Sequence, residues 1–126
     1  MTPALNRIIL YVQDVEGLRA FYTRLFGLPC REHIPGEWAV LQAGACELAL
    51  HRVGEAYRVD LPAPDWRVET NCKLVFTLDV PLAPYRDRLL AEGYELGEIK
   101  TYPGLAGPLC DGRDPEGNVF QIAGLP

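Results

Sequence analysis

Apolar and polar residues alternate through NRIILYVQ, residues 6–13. In an extended chain Ile8, Leu10 and Val12 fall on one side, and Arg7, Ile9, Tyr11 and Gln13 on the other. The period then changes. Asp14 suits a helix N-cap, Leu18, Phe21, Tyr22 and Leu25 recur at helical spacing, and Gly27 supplies the stop. Three shorter β-rich runs follow at 30–34, 37–43 and 45–52, with Gly36 and Gly44 at the turns, and read as a meander. Residues 53–70 hold Pro62 and Pro64 and keep no steady period, so they read as a linker with some extended structure.

The pattern restarts at CKLVFTLDV, residues 72–80. Leu74, Phe76 and Leu78 take one face of this strand; Lys73, Val75 and Thr77 take the other. Asp79 is placed to cap a second helix, with Pro81 and Pro84 tolerated near its start. Leu82, Tyr85 and Leu89 mark its buried side and Gly93 ends it. Strands at about 94–102, 107–112 and 118–123 complete the half. The order is βαβββ, linker, βαβββ, and the interval from Arg7 to Lys73 equals that from Gly27 to Gly93. A half this short does not bury a sheet alone. The reading is therefore an α+β fold: tandem βαβββ modules forming a curved mixed β-sheet around a cleft, helices on the outside. The modules span about 5–52 and 71–124 of a single domain, 1–126. Arg7, Ile9, Tyr11, Lys73, Val75, Thr77 and Gln121 are then expected to face the cleft.

Composition narrows the function. Hydrophobic residues make up 48% of the 126 residues, which supplies a core and excludes wholesale disorder. The net charge of −5, with acids and bases spread along the chain, disfavours a nucleic-acid binder, which carries a basic stripe. Cys30, Cys46, Cys72 and Cys110 form no CxxC pair, and RIILYV is too short for a signal peptide. The expected state is four reduced thiols in a cytoplasmic protein, with no apolar run of membrane-spanning length. The chain contains no serine, so a serine nucleophile is excluded, and it has no GxxxxGK[ST] loop. Cys72 and Cys110 have no histidine near them in sequence to activate a thiolate, and read as small buried hydrophobes.

Three stretches carry a family resemblance. LYVQDVEGLRAFYTRLFGLP, residues 10–29, gives a strand, an aspartate, a helix with FY and a closing LG. LVFTLDV leads into a helix ending at Gly93, and DPEGNVFQI, residues 114–122, gives a DPxGN turn and a strand. With the tandem order, these span nearly the whole chain, which resembles the vicinal oxygen chelate superfamily, the glyoxalase/bleomycin-resistance/dioxygenase group. The turn is also explained by geometry alone. Asp114 suits its first position, Pro115 fixes φ at the second and Gly117 suits the fourth.

The resemblance implies where a metal would sit. Metal-dependent members place two ligands on the first strands of the halves and two on the last strands. Carried over by position, the first-strand sites are Arg7 and Lys73. The last-strand site of the second half is Gln121, where metal-binding members usually have glutamate. The fourth falls in ELALH, at Ala49 or Glu47, with the register left open. Arginine and lysine are cations at neutral pH and do not ligate a divalent metal. No metal and no cofactor are therefore expected. A degenerate set of Glu47, His51 and His33 is the residual metal alternative, against strand-surface roles for both histidines. Arg7 and Lys73 either pair with an acid such as Glu47, which the cost of an unpaired buried charge favours, or leave positive charge for a carboxylate, phosphate or enolate. Tyr11, Trp38, Tyr57, Trp66 and Tyr102 are positioned to rim a cleft for an apolar or planar ligand.

Three readings follow as expectations. The first is a metal-independent small-molecule-binding protein that sequesters an antibiotic or metabolite, using Arg7, Tyr11, Trp38, Glu47, Lys73, Tyr102 and Gln121, and working as a homodimer with no nucleic-acid or membrane partner. The alternative is a lyase, isomerase or dioxygenase of the same superfamily, with Glu47 as its candidate acid or base. A structural module with an empty cleft is the third possibility.

Overall fold

Strand β1 (Arg7–Val12) gives way to helix α1 (Val15–Phe26) at Asp14. The Asp14 carboxylate accepts the Gly17 N–H at 2.9 Å, satisfying one of the donors that a helix start leaves open. The helix stops at Gly27, whose φ of 68° is left-handed and strains a residue with a Cβ. Strands β2 (Cys30–Ile34), β3 (Trp38–Ala43) and β4 (Cys46–Arg52) follow as the alternation predicts. They form a four-stranded sheet of order β1-β4-β3-β2, with β1 parallel to β4 and the other neighbours antiparallel.

The computed structural model describes all 126 residues, Met1–Pro126. They fall into two units, Met1–Trp66 and Arg67–Pro126. In the first, α1 packs on β3 and β4. Leu18, Tyr22 and Leu25 of the helix are buried, as are Val12, Ala39, Leu41, Leu48 and Leu50 of the sheet. These sheet positions share one face by register. The other face carries Arg7, Ile9 and Tyr11 opposite Glu47, Ala49 and His51, and these opposite Gln42, Val40 and Trp38.

The second unit repeats the start of this plan. Strand β5 (Leu74–Pro81) leads into helix α2 (Leu82–Ala91), followed by β6 (Leu109–Arg113) and β7 (Val119–Leu125). The sheet order is β5-β7-β6, β5 parallel to β7 and β6 antiparallel to it. Helix α2 packs on β5 and β7, with Leu82, Leu89, Phe120 and Ile122 buried. Between β6 and β7 the DPEGN turn is built around Asp114. Its Oδ1 accepts the N–H groups of Glu116 and Asn118 at 3.0 Å each, and its Oδ2 accepts Asn118 Nδ2 at 2.9 Å.

Three expectations are corrected. Asp79 does not cap α2. Strand β5 runs on to Pro81, which pairs with Leu125, so the helix starts behind a proline with no side-chain cap. The run at 94–102 is not a strand. It touches the sheet through two isolated bridges, Leu96 with Gly112 and Lys100 with Leu109. Its sequence lacks alternation, and Arg86 Nε claims the Gly97 carbonyl at 2.8 Å. Gln13 does not extend the polar face of β1. It is buried, and its side chain donates to the Tyr57 carbonyl at 2.8 Å and accepts the Val59 N–H at 2.9 Å. The segment after β4 is thereby tied to the first unit, with one 3-10 turn at Glu55–Tyr57. No helix is long and apolar enough to cross a membrane.

Candidate functional site

On the first sheet, Arg7 stands directly across from Glu47 in the parallel ladder. Its guanidinium donates two hydrogen bonds to Glu47 at 3.3 Å each and one to Glu32 of β2 at 2.8 Å. The bonds and charge of Glu47, with a smaller contribution from Glu32, hold the guanidinium charged against the opposing effect of burial. Arg7 also reaches across the face to Trp38, its guanidinium carbon 5.7 Å from the ring centroid. Beyond this ion pair the face turns aromatic. The His51 ring lies 5.2 Å from Tyr11, tilted by 34°, and 5.5 Å edge-on from Trp38.

On the second sheet a related set recurs. Lys73, one residue before β5, donates to Asp111 Oδ2 at 3.0 Å, and Gln121 Nε2 donates to Asp111 Oδ1 at 3.1 Å. Register explains the meeting, since Gln121 pairs with Val75 on one side and Asp111 on the other. Burial pushes the Asp111 carboxyl up, but the bonds from Lys73 and Gln121 and the charges of Lys73 and Lys100 outweigh it and hold it below the usual carboxylate range.

The same registers relate the open position in ELALH to Gln121. Gln121 pairs with Val75, two residues after Lys73; in the first unit, the residue pairing two after Arg7 is Ala49, opposite Ile9. Glu47 and Ala49 share a face, but Ala49 is the counterpart of Gln121 and Glu47 is the partner of Arg7. By resemblance, the ligand positions are Arg7 and Ala49 in the first unit and Lys73 and Gln121 in the second. Two are cations engaged with carboxylates, one is a methyl group and one is an amide already bonded to Asp111. Neither pair offers the anionic or imidazole donors that a divalent metal needs. No three His, Cys, Asp or Glu side chains gather elsewhere into a metal-holding group. The degenerate alternative separates too. His33 Nε2 meets Glu16 at 2.7 Å, whereas His51 lies among aromatic rings.

The remaining predicted positions scatter. Tyr102 lies outside any strand, in an exposed loop, and Tyr57 is exposed in the segment after β4. Sequence reasoning missed Asp111 and Glu32, the acids that neutralise Lys73 and share Arg7. Asp111 had a readable signal: Leu109, Asp111 and Arg113 alternate with Cys110 and Gly112, which puts the acid on the same side as Gln121. Of the two cysteines expected to be small buried hydrophobes, Cys110 is buried, which pushes its thiol up, whereas Cys72 is exposed and does not meet the expectation.

No protein-family model matches the chain, and no curated protein matches it. Solved structures do. A lactoylglutathione lyase from Agrobacterium tumefaciens matches over 98% of this chain and 94% of its own, with 24% identity and a TM-score of 0.77. The fosfomycin resistance protein FosX from Listeria monocytogenes matches over 98% and 94%, with 15% identity and a TM-score of 0.73. A glyoxalase/bleomycin resistance protein/dioxygenase from Nocardioides matches over 99% and 85%, with 20% identity and a TM-score of 0.72. The chain has the fold of the vicinal oxygen chelate superfamily.

Proposed function

We propose that this chain, with the vicinal oxygen chelate fold as scaffold, is a metal-independent small-molecule-binding protein that sequesters a metabolite or an antibiotic. The observation that carries the reading is the chemistry at the positions the resemblance assigns to ligands, Arg7 and Ala49 in one unit and Lys73 and Gln121 in the other, with both cations held by carboxylates. Neither pair supplies a metal donor without breaking charge-assisted hydrogen bonds, and Ala49 offers only a methyl group. The exposed aromatic surface of Tyr11, beside Trp38 and His51, supports an apolar or planar guest.

A second reading is a lyase, isomerase or dioxygenase acting on a small organic substrate, and the likeness to a lyase favours it. The bonding of Glu47 to Arg7 counts against it, because both of its carboxylate oxygens already accept hydrogen bonds from the guanidinium. A homodimer in the cytoplasm is part of the proposal.

The test has two arms. Elemental analysis of the purified protein, dialysed without chelator, is expected to find metal far below one ion per chain. Stoichiometric zinc, nickel, manganese or iron sinks the reading. A thermal-shift screen of drug-like aromatic compounds is expected to raise Tm with at least one ligand, since binding to the folded state stabilises it. A screen without a single shift, alongside measurable turnover, moves the chain to the enzyme reading.

A further inference from the structure

The polar side chains on the β1-β4-β3 face of the first unit divide into two sets. Arg7, Glu47 and Gln42 are all engaged, Arg7 and Glu47 with each other and Gln42 Nε2 with the Gly44 carbonyl at 2.7 Å. Tyr11, His51 and Trp38 are not. The His51 ring touches those of Tyr11 and Trp38, yet the Tyr11 hydroxyl, both His51 nitrogens and Trp38 Nε1 make no hydrogen bond to protein. No buried side-chain nitrogen or oxygen lacks a partner, so these polar atoms stay open to solvent. Tyr11 is 64% exposed, a large share for an aromatic ring on a sheet face. Adjacent strands therefore hold together three rings whose hydrogen-bonding capacity the protein leaves unused.

We propose that the Tyr11–His51–Trp38 cluster is a binding subsite for an uncharged aromatic ring that bears a hydroxyl or a similar hydrogen-bonding group. The inference rests on the small-molecule-binding reading and narrows its ligand class. Tyr11 supplies a stacking surface, and His51 supplies a donor or an acceptor at the ring edge. Charge argues for a neutral guest. An anion finds no free cation here, because Arg7 is held by Glu47 and Glu32, and Arg52, next in sequence to His51, is paired with Glu37 at 3.1 Å. An organic cation has to compete with Arg7 for the same two carboxylates and for the Trp38 ring, which the guanidinium already approaches. A neutral ring displaces neither pair.

The test uses 2-naphthol as probe, with 2-naphthoate and 2-naphthylmethylammonium as its anionic and cationic counterparts. The chain has two histidines, so proton NMR gives two sets of imidazole signals, which H51F assigns. His33, bonded to Glu16, serves as the internal control. On titrating the intact protein, the His51 signals are expected to move saturably with 2-naphthol while those of His33 stay. The two charged probes are expected to bind at least about tenfold more weakly, the factor that desolvating a charge without a partner produces. By calorimetry, H51F keeps a ring but loses both nitrogens and is expected to weaken 2-naphthol about fivefold to tenfold. Y11A is expected to weaken it by a similar factor. Unmoved His51 signals, equal affinity for a charged probe, or unchanged affinity in both variants overturns the subsite. None of those results touches the metal-free reading, which stands or falls on the elemental analysis.

Discussion

The Glu16 carboxylate ties the first turn of α1 to the β2–β3 hairpin. It accepts the Gly36 N–H at 3.0 Å, meets His33 Nε2 at 2.7 Å and pairs with Arg19 at 3.1 Å. The Gly36 bond chiefly, with His33 and Arg19, lowers its pKa from 4.5 to about 2. A depressed carboxyl contributes stability that is fully present above the unfolded value and is lost as pH falls toward the folded one. Chemical denaturation of the wild type is therefore expected to show a stability loss between about pH 4.5 and pH 2 that E16Q lacks. The side chain is 41% exposed, so solvent screening limits the cost of E16Q at neutral pH to roughly 1 kcal/mol. Asp114 is a larger case. It is buried and accepts three N–H bonds within its own turn, so D114A is expected to cost about 3 kcal/mol in urea unfolding by leaving buried donors unmet. The turn role of Asp114 was legible in DPEGN because these three bonds all lie within four residues. The Glu16 role was not, because His33 and Gly36 reach it only once the hairpin folds back on the helix.

At the scale of elements, α1 was legible from end to end, since Asp14, the apolar spacing and Gly27 all act within one or two turns. The end of β5 was not. Whether the chain stays extended to Pro81 depends on Leu125, more than forty residues away, being there to pair with it. Strand β6 shows a packing constraint that sequence hides. A Cβ on Gly112 would stand 2.3 Å from the Phe120 ring and 2.9 Å from Leu96, so the glycine makes room for a buried aromatic on the neighbouring strand. G112A is expected to destabilise by roughly 1–3 kcal/mol by thermal or urea unfolding, the usual cost of overpacking. Combining it with F120L, which trims the ring, is expected to recover part of that loss; a strictly additive double mutant contradicts the stated contact.

At the scale of the whole molecule, the segment after β4 is secured by Gln13, which bonds both Tyr57 and Val59. Q13A removes both bonds and leaves the Val59 N–H and the Tyr57 carbonyl without their partner. Trypsin is expected to cut at Arg58 several times faster in Q13A than in the wild type at equal concentration, because local opening controls cleavage there. An unchanged rate shows that other contacts hold the segment. Arg58 itself contributes one, from its Nε to the Val53 carbonyl at 3.2 Å.

Local rules act over a few residues, so the sequence alone determined the strand and helix periods, the cap and stop of α1, the strand–helix start of each half, and the presence of cations where a chelator was expected. It also determined that the chain resembles the superfamily whose fold it has. Partnerships across the sheets were decided only by tertiary structure. Register set Glu47 against Arg7, Ala49 against Ile9 and Asp111 against Gln121. The physical reason is the two-residue repeat of a strand, which fixes which face a side chain takes but leaves its neighbour to the alignment of a strand tens of residues away.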